Sequence, residues 1–269
     1  MNPRMTTEFD SFSHNRSAWN TLVAEGNEWT LPSTPEQVAR ARQGDWQVLL
    51  TPERAVPHAW FGTANGLLSG KRILGLASGG GQQCPLFSAA GADVTVFDAS
   101  DAQLAQDRMV ALREGLRLKT VQGNMLDLSA FASDQFDIVF NPCSVCFVDD
   151  VRPVWREAAR VLKPGGALLS GWVNPWFYLF DEQALDAGRL EVKNKLPFND
   201  LQTDRADAIR AQGIAVEYSH TLDDLIGGQL AAGLVLADMF EASWDAWAPL
   251  NDHVKPLMAT RAIKPFTAA

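Results

Sequence analysis

A run of three glycines, Gly79-Gly80-Gly81, stands between an apolar stretch at 72–77 and a segment of helical character at 82–90. The apolar stretch reads RILGLA and predicts a buried strand. Glycines at such a turn allow positive φ angles and let the backbone approach a ligand closely. The start of the following helix would add unpaired N–H groups and partial positive charge. This strand–turn–helix unit predicts a site for a ligand held by backbone groups.

A second candidate group is the carboxylate of Asp98, which ends the next predicted strand, at 93–97. A carboxylate in this register can accept both hydroxyl protons of an adenosine ribose. Asp98 could instead cap the following helix or lie at the surface, although Ser100 can also serve as that cap. Together with the glycine turn, Asp98 favours ribose binding. A dinucleotide is disfavoured because Cys84 stands where the dinucleotide fingerprint needs a third glycine.

Two of the three cysteines form the C-x-x-C sequence Cys143-Ser144-Val145-Cys146. Such a pair can be a redox couple or half of a zinc site. No second C-x-x-C or histidine pair accompanies it in the sequence, and Cys84 would raise the number of thiolates only to three. We therefore expect no metal site, and interpret this loop as part of the wall of an acceptor pocket.

General-base candidates are less distinct. The chain has four histidines, and each could be a base or a structurally bonded side chain: His14, His58, His220 and His253. No catalytic residue is predicted from them. Arg16, Trp19 and Trp29 lie in an N-terminal segment that could close over a ligand, although packing explains the two tryptophans equally well.

The elements that position these residues alternate in type along the chain. Apolar runs predict strands and amphipathic or capped stretches predict helices. The predicted strands are 72–77, 93–97, 118–122, 136–140, 167–173, 234–240 and 257–262. The predicted helices are 12–24, 35–44, 82–90, 100–114, 149–161 and 221–232. This alternation predicts an α/β fold, with a mostly parallel seven-stranded sheet and helices on both faces.

Four segments are expected within one structural domain. Residues 1–69 would form an N-terminal helical cover, and residues 70–173 the Rossmann-like core. Residues 174–220 would form an inserted β arm, and residues 221–269 would complete the sheet. The arm is predicted from two strands flanking a helical stretch, at 189–198, 200–212 and 214–220.

Three motifs resemble those of class I S-adenosylmethionine-dependent methyltransferases. The sequence GLASGGG at 75–81 resembles their motif I, and RVLKPGG at 160–166 resembles the turn before their fifth strand. The sequence GNMLDL at 123–128 resembles the segment after their third strand. The resemblance covers about residues 71–173 and implies a Rossmann-like fold, S-adenosylmethionine as cofactor, and methyl transfer to an acceptor.

The resemblance also implies roles for individual residues. The backbone of Ala77, Ser78, Gly79 and Gly81 would hold the methionine part of the cofactor, and Asp98 would bind its ribose. Ala99, Asn124 and Met125 would contact the adenine. Asn141, followed by Pro142, would lie near the sulfonium. Three positions depart from the family pattern. Gly75 replaces the usual acid that orients the methionine ammonium, Ala77 replaces a glycine, and Asn124 stands where aspartate is common.

Composition narrows the function further. Formal net charge is −9 and no basic stripe is visible, so nucleic acid is not expected as a partner. No apolar run is long enough for a membrane span, and the N-terminus lacks the apolar region of a secretory signal. Few cysteines favour a reducing compartment, so cytoplasmic location is expected. The sequence thus predicts a methyltransferase that acts on a small-molecule acceptor. A non-catalytic S-adenosylmethionine- or S-adenosylhomocysteine-binding protein and a nicotinamide-dependent oxidoreductase are the alternatives.

Overall fold

Seven strands form one sheet, as the sequence pattern predicts, and a short antiparallel hairpin precedes them. The computed structural model describes residues 9–266, apart from the side chains of residues 247 and 248. The strands, numbered in chain order with the hairpin first, are β1 (Leu49–Thr51), β2 (Arg54–Ala55), β3 (Arg72–Leu76), β4 (Asp93–Asp98), β5 (Leu118–Gln122), β6 (Phe136–Asn141), β7 (Leu162–Val173), β8 (Val235–Ala242) and β9 (Leu257–Ile263).

The sheet is wound outward from its centre in both directions. Its strand order is β5-β4-β3-β6-β7-β9-β8. Strands β3 to β7 run parallel, whereas β9 is antiparallel to both β7 and β8. The winding reverses between β3 and β6. Open α/β sheets bind their ligands at such a point, beyond the carboxyl ends of the strands.

Helices cover both faces of the sheet. They are α1 (Ser11–Glu25), α2 (Pro35–Ala41), α3 (Cys84–Ala89), α4 (Asp101–Glu114), α5 (Arg152–Val161), α6 (Glu182–Asp186), α7 (Ala206–Gln212), α8 (Gly228–Ala231) and α9 (Ala248–Asn251). Buried residues of α2, α3 and α4 belong to one core cluster, and those of α5 to a second. None of the helices within residues 9–266 has the length and apolar character needed to cross a bilayer.

Side chains alternate between these two cores along each central strand. Ile73 and Phe140 pack into the first cluster, whereas Leu74 and Val139 pack into the second. Because both faces are covered, the central strands are apolar on both sides, as is typical of parallel sheets. This burial explains why the continuous apolar runs in the sequence predict the strands correctly.

The expected β arm at 174–220 is wrong. This segment contains the helices α6 and α7, and its β pairing is limited to two isolated bridges, Phe180 with Val192 and Asn199 with Tyr218. Pro197 lacks an N–H group and cannot continue a ladder through the predicted strand at 189–198. Earlier in that stretch, the N–H groups of Lys193 and residue 194 both donate to the Leu179 carbonyl, so the chain turns back locally.

The last predicted helix, at 221–232, is also modified. A π-helical turn at Asp223–Gly227 precedes the short helix α8. Glycines at 227 and 228 weaken the regular helix. A Cβ atom on Gly228 would lie 2.8 Å from Trp155 Cδ1, so glycine permits close contact with α5. The two strands that follow, β8 and β9, complete the sheet near the predicted positions.

Candidate functional site

The glycine turn lies directly beyond the carboxyl end of β3. Its first residue, Ala77, has a φ angle of 46°, and Gly80 and Gly81 have φ angles of 105° and 71°. The N–H of Ala77 donates to the Phe97 carbonyl at 2.7 Å, which fixes the turn against β4. These left-handed conformations turn the backbone sharply at the sheet edge and leave Ala77, Ser78 and Gly79 along the wall of a large cavity.

The Asp98 carboxylate faces the same cavity from the end of β4. Oδ2 accepts the Gly79 N–H at 3.0 Å, and Oδ1 accepts the Ser100 N–H at 2.9 Å. Burial raises the pKa of Asp98, and these N–H donors partly oppose that shift. Each carboxylate oxygen has more than one lone pair, so both can still accept a hydroxyl proton from a ligand. The geometry suits the ribose role expected from the sequence.

Gly79 has no room for a side chain. A Cβ atom there would lie 2.8 Å from Gln103 Cβ and 3.0 Å from Asp98 Oδ2. The glycine therefore lets the turn approach the carboxylate closely enough for the hydrogen bond from its own N–H. Seven of the nine predicted cofactor residues line this one cavity: Ala77, Ser78, Gly79, Asp98, Ala99, Asn124 and Met125.

Gly81 differs from the expectation, because it is not among the residues that line the cavity. Its carbonyl accepts hydrogen bonds from the Ser33 N–H at 2.8 Å and from Ser33 Oγ at 3.0 Å. A Cβ atom on Gly81 would lie 3.0 Å from both the Gln106 carbonyl oxygen and Pro32 Cβ. Gly81 thus joins the turn to the N-terminal segment and to α4 and is not part of the cradle.

Asn141 is the second departure, because its side chain is fully buried. Its Nδ2 donates to the Leu76 carbonyl at 2.9 Å and to Ser144 Oγ at 2.8 Å, and its Oδ1 accepts from Ser170 Oγ at 2.9 Å. The amide therefore ties together the ends of β3, β6 and β7 and does not contact the cavity. The next residues, Pro142 to Ser144, line the cavity instead.

Gly75, the position of the usual family acid, is explained by Cys84. A Cβ atom on Gly75 would lie only 2.2 Å from Cys84 Sγ. Cys84 is fully buried, and burial raises the pKa of its thiol well above the ordinary range, so the thiol stays neutral. The sulfur fills the space that an acid side chain at position 75 would enter. Position 75 therefore has no room for a side chain that could contact a ligand.

This packing predicts that Gly75→Ala lowers the free energy of unfolding by about 1–3 kcal/mol through overpacking. The same Gly75→Ala change should lower the free energy of unfolding much less when Cys84 is also replaced by alanine, because the obstructing sulfur is then absent. Denaturant unfolding of the native protein, both single variants and the double variant measures the coupling. If Gly75→Ala lowered the free energy of unfolding equally in the native and the Cys84→Ala backgrounds, the overpacking between positions 75 and 84 would be disproved.

The N-terminal helix α1 covers the cavity and is attached at two places. Near its middle, the Asn15 amide exchanges two hydrogen bonds with the backbone of Val216, at 3.0 and 2.7 Å. One turn later, Asn20 Oδ1 accepts from Ser100 Oγ at 2.6 Å, at the start of α4. Arg16 lies between these two attachments and lines the cavity, and no ion pair within residues 9–266 involves it.

None of the four histidines lines the cavity in the described part of the chain. His220 Nε2 bonds to the Val145 carbonyl at 2.9 Å, and burial lowers the pKa of this imidazole. His14 and His58 likewise bond to backbone carbonyls, of Ile214 and residue 46. These contacts favour structural roles over a role as general base.

The Cys143-x-x-Cys146 loop follows β6 and lines the cavity, as do the next two residues, Phe147 and Val148. Both thiols are free, and burial raises the pKa of Cys143 to about 12. Neutral thiols are poor nucleophiles and poor metal ligands. The loop therefore forms an apolar wall.

Two further cavity residues were not singled out by the sequence. Tyr178 Oη donates to Glu217 Oε2 at 2.8 Å. Burial raises the pKa of the Glu217 carboxyl, and the hydrogen bond from Tyr178 partly opposes that shift; more weakly, the charge of Asp200 raises the pKa and that of Arg205 lowers it. No local motif marks this pair, because its members are far apart in a segment whose fold was mispredicted. The one available signal was the position of both residues in the expected cover.

Comparisons with known proteins relate the chain to methyltransferases. The chain matches the family model described as "Methyltransferase domain" over residues 74–170. An uncharacterized methyltransferase of Bacillus subtilis (strain 168), YbaJ, is 42% identical over 255 residues, covering 94% of this chain and 98% of that protein. The ubiquinone biosynthesis O-methyltransferase of Bordetella avium (strain 197N) is 31% identical over 123 residues, 45% of this chain and 51% of that protein.

Solved structures share the fold at low sequence identity. An S-adenosylmethionine-dependent methyltransferase from Mesorhizobium loti has a TM-score of 0.57 at 19% identity, covering 72% of this chain and 91% of that one. A putative S-adenosylmethionine-dependent methyltransferase from Listeria monocytogenes has a TM-score of 0.56 at 19% identity, covering 74% and 92%. With a methyltransferase relative along nearly the whole chain and the family model over its centre, the protein belongs to the methyltransferases.

Proposed function

We propose that this methyltransferase acts on a small-molecule acceptor held between α1 and the segment 174–220. The observation that carries the proposal is the size and lining of the cavity. Its volume is about 1390 Å³, above the range of about 300–1,000 Å³ that is usual for a single ligand. One set of lining residues surrounds Asp98, and another comes from the loop after β6 and from 174–217. The cavity thus has room for a cofactor and an acceptor side by side.

The residues present fit S-adenosylmethionine. The turn at Gly79 has a cradle that a Cβ atom would fill, and Asp98 offers two acceptor oxygens beside it. We assign the ribose hydroxyls to Asp98, the adenine to the surfaces of Ala99 and Met125, and the methionine part to the backbone at 77–79. When bound, the cofactor supplies a methyl group already activated by positive sulfur. The protein's own task is to align the acceptor and exclude water.

We assign the cofactor carboxylate to Arg16. It is a cation on the cavity wall, on the helix that covers the cavity. Arg16→Gln is expected to weaken S-adenosylhomocysteine binding about tenfold, the size of one charge-assisted hydrogen bond. Binding of 5′-methylthioadenosine, which lacks the amino-acid group, should not change. Calorimetry with both ligands measures the difference, and Arg40→Gln, which breaks an exposed pair with Asp45, is the control. Equal losses for both ligands would contradict the assignment.

The charge and the lining support a small acceptor and not nucleic acid. The formal net charge is −9, and the acceptor part of the cavity carries the acids Asp200 and Glu217, which would repel phosphates. Aromatic side chains from α1 and from 174–198 also line it. All three cysteines are free, which suits a reducing compartment, and we place the protein in the cytoplasm.

A labelling experiment tests the acceptor class. The protein is incubated with S-adenosylmethionine carrying a deuterated methyl group and with separated low-mass, protein and RNA fractions of a Bacillus subtilis extract, because the 42% identical relative is from that organism. Label is expected in the low-mass fraction. The Asp98→Ala variant is the matched control. Label confined to protein or RNA would overturn the small-molecule proposal.

A further inference from the structure

The acceptor part of the cavity contains a carboxylate without a cationic partner. Glu217 Oε2 accepts a hydrogen bond from Tyr178, and no ion pair within residues 9–266 includes Glu217. The two cations of the surrounding segment that line the cavity are each paired with other acids. Lys193 pairs with Asp181 at 2.8 Å, and Arg205 pairs with residue 182. A carboxylate withdrawn from water without an ion-pair partner is unfavourable, so a cationic ligand would be stabilised beside it.

Aromatic rings line the same cavity as this carboxylate. Tyr178 stacks with Phe198 at a centroid distance of 5.2 Å and makes a T-shaped contact with Phe177 at 5.4 Å. Trp19 of α1 makes a T-shaped contact with Phe147 at 5.4 Å. All five rings line the cavity. Aromatic faces attract ammonium groups through their quadrupoles, and the attraction strengthens when water is excluded.

The remaining polar groups of this part of the cavity do not reverse its charge. Asp200 Oδ2 accepts the Glu217 backbone N–H at 2.9 Å, so a second acid lies next to the first. Cys143 and Cys146 stay neutral because burial raises the pKa of both thiols. These acids would repel an anionic acceptor and attract a cationic one.

From this juxtaposition of an unpaired acid and an aromatic lining, we propose that the acceptor is a primary or secondary amine that enters as an ammonium ion, and that Glu217 takes its proton. The inference rests on the proposed function. The N–H bond breaks, an O–H bond forms on the Glu217 carboxylate, and the nitrogen keeps the electron pair with which it can accept a methyl group. The proton leaves to water when the product departs. Tyr178 holds the carboxylate in place through its hydroxyl.

Benzylamine and benzyl alcohol serve as matched probes, because they share shape and differ in charge. Their affinities are measured by ligand-detected NMR at neutral pH in the presence of saturating S-adenosylhomocysteine. The native protein is expected to bind benzylamine at least about tenfold more tightly than the alcohol. Glu217→Gln should abolish this preference. Asp207→Asn, which changes an exposed acid of the same segment outside the cavity lining, should retain it.

Equal affinity of the native protein for the two probes, or no detectable benzylamine binding, overturns the proposal without any variant. A preference that survives in folded Glu217→Gln overturns the role of this residue. If Glu217→Gln weakens S-adenosylmethionine binding but not S-adenosylhomocysteine binding, Glu217 serves the cofactor sulfonium, which also overturns the proposal. Failure of native protein to bind S-adenosylhomocysteine contradicts the cofactor assignment instead, so the two failures are distinguishable.

Discussion

Replacing Asp98 with alanine is expected to weaken S-adenosylhomocysteine binding by about 1–3 kcal/mol, which is a loss of about five- to 150-fold. The loss arises because two ribose hydroxyls would be buried without their acceptor. The Gly79 and Ser100 N–H groups would also lose the carboxylate that holds the turn. Calorimetry measures the affinity, and thermal unfolding with and without ligand shows whether the variant is folded.

Asp93→Ala is the matched control for that experiment. Asp93 begins the same strand that Asp98 ends, and it is exposed at the opposite edge of the sheet. Among residues 9–266, it forms one ion pair, a long contact with Arg72 at 3.9 Å. The control should bind S-adenosylhomocysteine normally. A folded Asp98→Ala variant with unchanged affinity would show that the ribose lies elsewhere.

A second large effect is expected from Asp107, a fully buried acid on α4. Neither of its carboxyl oxygens has a partner of normal hydrogen-bond geometry within residues 9–266. The amides of Gly80 and Gly81 lie near enough to favour the charged form, but burial outweighs them and, together with repulsion from Asp98, raises the pKa of Asp107 well above its ordinary value of 3.8. Burial beneath the glycine turn therefore favours the neutral form of Asp107 over the charged form.

Stability should consequently decrease with rising pH through this group. The contribution of the neutral Asp107 carboxyl to the free energy of unfolding is fully present below the unfolded-state pKa of 3.8. As pH rises from there toward the elevated folded-state pKa, this contribution decreases by about 1.4 kcal/mol per pH unit. Asp107→Asn keeps the shape and removes the titration. It should be more stable than the native protein at neutral pH, and the difference should shrink toward zero near the unfolded-state pKa. Denaturant unfolding across this range measures it.

Comparison with Asp127→Asn isolates the effect of burial. Asp127 is fully exposed, and hydrogen bonds from Ser129 lower its pKa, so the sign of its pH dependence is opposite. Asp127→Asn should have a slightly lower free energy of unfolding than the native protein at neutral pH and an equal one in acid. Parallel pH profiles for native protein and Asp107→Asn would show that the Asp107 carboxyl is ionised in the folded state, contrary to its burial.

The sheet and half of the site were predictable from the sequence because their signals are local. Apolar runs predict strands buried on both faces, and the glycine turn and Asp98 each follow such a run. Gly81 and Asn141 were assigned to the cofactor because motif position alone marks them. Their actual partners, Ser33 and Ser170, are supplied by distant parts of the chain that no short motif reports.

The acceptor side was not predictable for the same reason. Pairing of the segment at 198–200 with 217–219 is real, but it is limited to one bridge and a few hydrogen bonds, too short to form strands. The contact between Tyr178 and Glu217 depends on how that irregular chain folds against the loop after β6. Irregular segments are specified by such tertiary contacts and less by hydrophobic period.

Helix α1 is hydrogen-bonded to both halves of the cavity. Asn20 attaches it beside the cofactor half, and Asn15 attaches it to the chain that carries Glu217. A ligand that orders α1 from one half lowers the entropy lost when the other half is filled. Reciprocity then requires each ligand to change the affinity of the other by the same factor. The covering helix thus provides a route to cooperative binding without any direct contact between the two ligands.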